Sequence, residues 1–154
     1  MNMKSRMDYK NTAPEGIKAM WGLESYVRHC GLEHSLLELV KTRASQLNGC
    51  AFCLDMHTKD ARAEGETEQR LYALPAWEET PFFTERERAA LAWTEAVTLV
   101  AGTRVPDEVF ESARRHFSEK ELVDLTLAIV AINGWNRLAI SFRAEAGSYR
   151  RPAS

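Results

Sequence analysis

Two cysteines and a histidine stand together in Cys50-Ala51-Phe52-Cys53-Leu54-Asp55-Met56-His57. Asn48-Gly49 before them reads as a turn, and the residues after it start a helix that runs through Glu64 and stops at Gly65. At about 100° per residue, Cys53 lies about 60° and His57 about 20° around the helix from Cys50, so all three share one face. A helix start has unpaired N–H groups and the positive end of the dipole, both of which favour thiolate over thiol. His57, one turn beyond Cys53, can orient or accept a thiol proton, and the second cysteine is close enough to resolve an oxidised first one as a disulfide. The plainer possibility is a buried stripe of Cys50, Leu54, His57 and Ala61, since cysteine is among the residues most often buried.

Spacing weighs the competing chemistries. A c-type haem attachment needs the histidine directly after the second cysteine, where this chain has Leu54. A structural zinc site spreads four ligands over two separated elements, whereas three candidates here crowd about two turns and Cys30 stands apart. A purely structural disulfide would close too short a loop to restrict the unfolded chain much. No metal and no cofactor is therefore expected. The 154 residues fit one domain, and a net charge of -2 with pI about 6.1 gives a nucleic-acid or anionic-membrane role no electrostatic support. An N-terminus without an apolar segment, no run of 18 apolar residues, and three cysteines predict a cytoplasmic protein whose thiols are reactive rather than structural.

The rest of the chain supplies the elements that must position the stretch. Pro14 opens a helix that reaches Cys30 and stops at Gly31, with Ile17, Met20, Trp21 and Val27 on one face. Glu24 interrupts that face as a salt-bridge partner or a site carboxylate, and Cys30 at the helix end reads as inert. A helix from His34 to Leu47 buries Leu36, Leu37, Val40, Ala44 and Leu47. Its other face, Glu38, Lys41, Thr42 and Ser45, reads as surface unless it turns inward against the cysteine helix, to which only Asn48 and Gly49 join it. Turned inward, Glu38 could orient His57. Thr67 caps a short helix that Pro75 ends, and Trp77 to Phe83 is an apolar loop sealing the core. Thr84 with Glu87, and Ser118 with Glu121, form capping boxes for two helices, and Pro106 opens a third between them. The helix from Glu119 to about Ala146 is apolar all round between Leu122 and Ile132, so it is either a central core helix or one shared with another subunit. Asn133 to Arg137 interrupt it with small and polar groups. No period-two run occurs, so the fold is expected to be all-α, one domain over residues 1–154 with flexible ends at about 1–10 and 147–154.

Glu38, eleven intervening residues, then Cys50-x-x-Cys53-x-x-x-His57 closely resembles the signature of the alkylhydroperoxidase D-like (AhpD-like) proteins of the carboxymuconolactone decarboxylase superfamily. The similarity runs from about Met7 to Phe142 and takes in Gly65 to Tyr72, Phe83 to Trp93 and Asp124 to Ile140. It implies a helical bundle that assembles as trimers or hexamers and reduces hydroperoxides at the cysteine pair. In that scheme Cys53 attacks the peroxide, Cys50 resolves, Glu38 with His57 relays the proton, and an external dithiol or thioredoxin-like protein re-reduces the pair. One departure is Phe52, where the better-known peroxidases of this group carry a histidine. The lactone decarboxylase branch typically lacks the cysteine pair, which makes decarboxylation the less expected chemistry. General thiol–disulfide exchange also competes with peroxide reduction, as does a structural zinc or non-redox oligomeric role.

Overall fold

Local capping chemistry sets most of the helix boundaries. The computed structural model describes residues 4–153, and among them there is no strand. The helices are α1 (Tyr9–Thr12), α2 (Pro14–His29), α3 (His34–Asn48), α4 (Ala51–Ala63), α5 (Glu68–Ala73), α6 (Glu85–Thr98), α7 (Val100–Thr103), α8 (Asp107–His116) and α9 (Glu119–Phe142). Both capping boxes close in both directions: Thr84 and Ser118 accept from the N–H of Glu87 and Glu121, whose carboxylates accept from the cap residues in return. Thr67 caps α5 by accepting from the Arg70 N–H. The expected flexible ends fall partly outside the described residues, at 1–3 and 154. Of the others, Arg6 donates its backbone N–H to Phe142, Tyr9 stacks on Phe142, and Tyr149 donates its hydroxyl to Asp60 on α4.

Three details differ from the sequence reading. The cysteine helix starts at Ala51, and Cys50 is its extended N-cap, with φ -85° and ψ 96°. α5 ends at Ala73, just before Pro75, but the chain goes straight on into a 3-10 helix over Leu74–Glu79, which carries Trp77, expected in a loop, into a cluster with Leu39, Leu74, Phe83 and Leu91. α9 ends at Phe142, with Arg143 as a left-handed C-cap, rather than at about Ala146, and the small and polar residues Asn133 to Arg137 interrupt its apolar surface while staying helical. A Cβ at Gly134 would come within 2.8 Å of the Met20 methyl, so the glycine lets α2 cross α9 closely.

The core is built on α9, which packs against α2, α3 and α6. Leu125, Ala128 and Ile129 are wholly buried against Val27, Leu36, Val40 and Ala90 from those three helices. At roughly 1.5–3 kcal/mol for each large side chain buried, this seam outweighs any single polar contact in the molecule. By length and hydropathy α9 could also cross a membrane; it holds buried Asp124 and Asn136, and 39 % of its most apolar window is buried in the bundle. Val123, Val130 and Ile140 on α9 remain about half exposed.

Candidate active site

The polar face of α3 turns inward. The chain between α3 and α4 is only Gly49 and Cys50, and Gly49 adopts φ +68°, a left-handed turn that sends α4 back along α3. Lys41, Thr42 and Ser45 are all buried, and Glu38 is nearly so. Glu38 accepts through Oε2 from Nδ1 of His57 at 3.0 Å, which leaves Nε2 of the imidazole as the free base. Burial alone would raise the Glu38 carboxyl, yet the hydrogen bond from His57 and the charges of His57 and Lys41 hold it below the usual carboxylate range. Lys41 Nζ bridges this carboxylate, at 4.0 Å, to Glu24 of α2, at 2.7 Å. Burial opposes ionisation of Glu24 too, and Lys41 with Arg28 overrides it. Two buried carboxylates thus face one buried ammonium, with the half-exposed Arg28 guanidinium 3.4 Å from Glu24 as a second cation.

Both cysteines are buried thiols, Cys50 at 1 % and Cys53 at 4 % exposure. Cys50 Sγ accepts from the Cys53 backbone N–H at 3.4 Å, the N-cap contact of a thiolate. The neighbouring Cys53 thiol, the N–H groups at the start of α4 and the Asn136 amide bring the Cys50 thiol down to about 7 against the cost of burial. Cys53 moves the other way, pushed up by the Cys50 thiol it donates to, by burial and by the charge of Cys50. The two thiols therefore titrate as a coupled pair, in which the surroundings lower Cys50 and raise Cys53.

Access runs opposite to charge. A cavity of about 70 Å³ opens beside α4, and its lining includes Cys53 and His57 but not Cys50. Its walls are largely aromatic: Tyr9, Trp21, Phe52 and Trp135, with the Trp21 and Trp135 rings 5.0 Å apart. A second, larger cavity of about 490 Å³, which shares Trp21, Arg28 and Met56 with the first, is lined by Glu38, Lys41 and Asp60 and by the C-terminal Tyr149 and Arg150. Cys53 thus meets what enters the apolar cavity, while Glu38 meets polar surroundings.

Of the residues the sequence singles out, Cys50 pairs with Cys53 and Glu38 with His57, and Cys53 and His57 line one cavity. Asn136, hidden inside the polar interruption of α9, escapes sequence reasoning. So do Tyr9, in a segment read as an arm, and the aromatic walls that α2 and α9 contribute. The cysteines do not cluster with His57 as a metal-ligand set. The donors that come within 4.8 Å of one another are Glu38, His57 and Asp60, and Lys41 beside Glu38 opposes a cation there.

The family model described as "Carboxymuconolactone decarboxylase family" matches residues 14–96, which include Glu38 and the whole cysteine stretch. The chain belongs to this family. It is 48 % identical over 146 residues to the uncharacterized protein YdfG of Bacillus subtilis, covering 95 % of this chain and 99 % of that one. Among solved structures, one from Agrobacterium tumefaciens, of unknown function and described as a candidate antioxidant defence protein AhpD, superposes with TM-score 0.91 at 49 % identity, over 95 % of this chain and 100 % of that one. The debrominase Bmp8 shares the fold at TM-score 0.81 and 20 % identity, over 90 % of this chain and 74 % of that one. The protein is thus an AhpD-like member of the carboxymuconolactone decarboxylase family, an all-α single-domain bundle.

Proposed function

We propose that this AhpD-like protein is a thiol-dependent peroxidase with an antioxidant-defence role. The observation that carries the reading is the apolar cavity that reaches Cys53 and His57, with His57 anchored on Glu38 at 3.0 Å. The likeness at 49 % identity to the candidate antioxidant defence protein supports it.

His57 takes the Cys53 proton through Nε2 when a hydroperoxide enters, and Glu38 steadies the imidazolium. The Cys53 thiolate attacks the distal peroxide oxygen, the O–O bond breaks, and the products are a sulfenic acid on Cys53 and an alkoxide that His57 reprotonates to the alcohol. The Cys50 thiolate then attacks the Cys53 sulfur, the S–S bond forms as the S–O bond breaks, and the departing hydroxide takes a proton from solvent to become water. Two electrons have passed from the thiols to the peroxide. An external dithiol, or a thioredoxin-like protein, returns them by disulfide exchange. The reaction belongs in a reducing compartment, in keeping with the cytoplasmic location expected from composition.

Peroxide consumption with a dithiol under turnover, paired with mass spectrometry of single-cysteine variants, tests the assignment. Cys50→Ser should retain the first step and leave a sulfenic acid trappable at Cys53, and Cys53→Ser should lose the reaction. The reverse pattern exchanges the two roles. Wild type inert toward every peroxide but active in disulfide exchange would replace the peroxidase reading with that one.

A further inference from the structure

Beside its aromatic walls, the cavity at Cys53 is lined by three charged side chains, Lys10, Glu24 and Arg28. Glu24 is the inner one, 5 % exposed, and the buried Lys41 ammonium at 2.7 Å already answers its charge. The two cations are the outer ones. Arg28 keeps 54 % of its side chain exposed; its Nε lies 3.4 Å from Glu24 Oε1, and its terminal amino groups have no acceptor among the described residues. Lys10 is exposed and has no ion-pair partner among the described residues. A second observation points the same way. Arg28 also lines the larger cavity, so it stands where the two spaces adjoin. The carboxylates of that larger cavity are all engaged: Glu38 by His57 at 3.0 Å, Asp60 by the Tyr149 hydroxyl at 2.8 Å, and Glu64 by Arg151 at 3.4 Å. Arg150 beside them donates to the backbone carbonyls of Gly147 and Tyr149, which leave its charge unanswered. Positive charge is therefore what the junction offers to a ligand.

We propose that this site takes an amphipathic anion: a hydroperoxide on a slender apolar chain that also bears a carboxylate, with the peroxide at Cys53, the chain among the rings and the carboxylate on Arg28. A planar guanidinium with open N–H groups can hold a carboxylate by two parallel hydrogen bonds, and Lys10 adds a second positive charge at the same cavity. The aromatic walls take the hydrocarbon. A cavity of roughly 150 Å³ holds benzene, so one of about 70 Å³ suits a slender chain. Anchoring one end of the molecule fixes how deep the other end reaches, which sets the peroxide against the sulfur. A neutral hydroperoxide of the same length enters without that anchor, and a cationic one is repelled. The inference rests on the peroxidase reading and names its substrate class, but its test uses unreactive ligands, so the two can fail separately.

The test is calorimetric titration of the reduced protein with octanoate, octanamide and octylamine, which share a chain and differ in charge. Octanoate should bind about tenfold more tightly than octanamide, with octylamine weakest, and added salt should narrow the gap. Arg28→Met keeps the apolar stem and should remove most of the preference for octanoate; Arg28→Lys should restore part of it, and Lys10→Met should reduce it less. Arg28 is half exposed, so these variants should fold as the wild type does. Location is read separately. In a protein carrying Cys30→Ser and Cys50→Ser, where Cys53 is the single thiol, octanoate should slow alkylation by iodoacetamide at the concentrations that bind. Equal affinity for octanoate and octanamide, a preference that survives Arg28→Met, or binding that leaves Cys53 alkylation unchanged overturns the inference and leaves the peroxidase reading standing. So does the absence of binding by all three. Octanoate held by Arg28 at Cys53 in a protein that consumes no hydroperoxide does the reverse: the anion site stands and the peroxidase reading falls.

Discussion

Lys41 is 2 % exposed and stands between two carboxylates on different helices, so its removal isolates charges in the interior. Lys41→Met should cost about 3–5 kcal/mol in urea denaturation, far more than loss of an exposed ion pair. The same carboxylates set an acid limit. Glu24 and Glu38 are both held below their ordinary value of 4.5, so the folded state binds their protons less readily than the unfolded chain does. Their stabilising contribution is fully present above about 4.5, and it is lost as the pH falls through the lower folded values. Denaturation midpoints measured between pH 7 and pH 3 should fall in wild type, and the fall should be shallower in Glu24→Gln. At this scale the sequence discloses what sits within one helical repeat: Cys53 and His57 at i and i+4 meet by local geometry. Glu38 is legible through its spacing and the family likeness. Lys41 and Asn136 are not, since a polar residue on an amphipathic helix looks the same whether its face meets water or a buried amide on another helix.

The hinge between α3 and α4 depends on Gly49 at φ +68°, with its N–H closing onto the carbonyls of Ser45 and Gln46. Gly49→Ala places a Cβ in the left-handed region and should cost roughly 1–2 kcal/mol. It should also speed alkylation of the cysteine pair, because the turn fixes Cys50 as N-cap. Ser118→Ala removes one arm of a complete capping box and should cost about 1 kcal/mol, seen as a lower thermal midpoint with unchanged thiol chemistry. Such caps are readable because donor and acceptor lie within four residues. The end of α6 is less so. Leu99, at φ -97° and ψ 29°, breaks it from α7, where Thr103 donates its hydroxyl to the Ala96 carbonyl and Val105 takes φ +50°. The 3-10 turn around Trp77 likewise answers to the Glu95 carboxylate on α6, which accepts the indole N–H at 2.8 Å.

The whole molecule leaves Val123, Val130 and Ile140 about half exposed on its most apolar helix, with Leu99 and Val100 exposed as well. Water-facing branched side chains on a core helix are what a second copy of the chain would cover, and we propose that the protein assembles, as the resemblance to trimeric or hexameric proteins implies. Sedimentation at micromolar concentration should show no dominant 17.5 kDa species. Val130→Lys should shift the population toward monomer without unfolding it, and a wild type that already sediments as a monomer ends the idea. The all-round apolarity of α9 signals burial, but a single sequence cannot divide that burial between its own core and a neighbour's surface. The indole pair at the cavity has a consequence of another kind. Trp21 and Trp135 flank the space that Cys53 faces, whereas Trp77 and Trp93 are tied to Glu95 and Thr126 elsewhere in the core. Sulfur in its disulfide state quenches nearby indole emission, so the intrinsic fluorescence of this protein should dim as the pair oxidises and recover on reduction. Each turnover would then be visible in real time without an added dye.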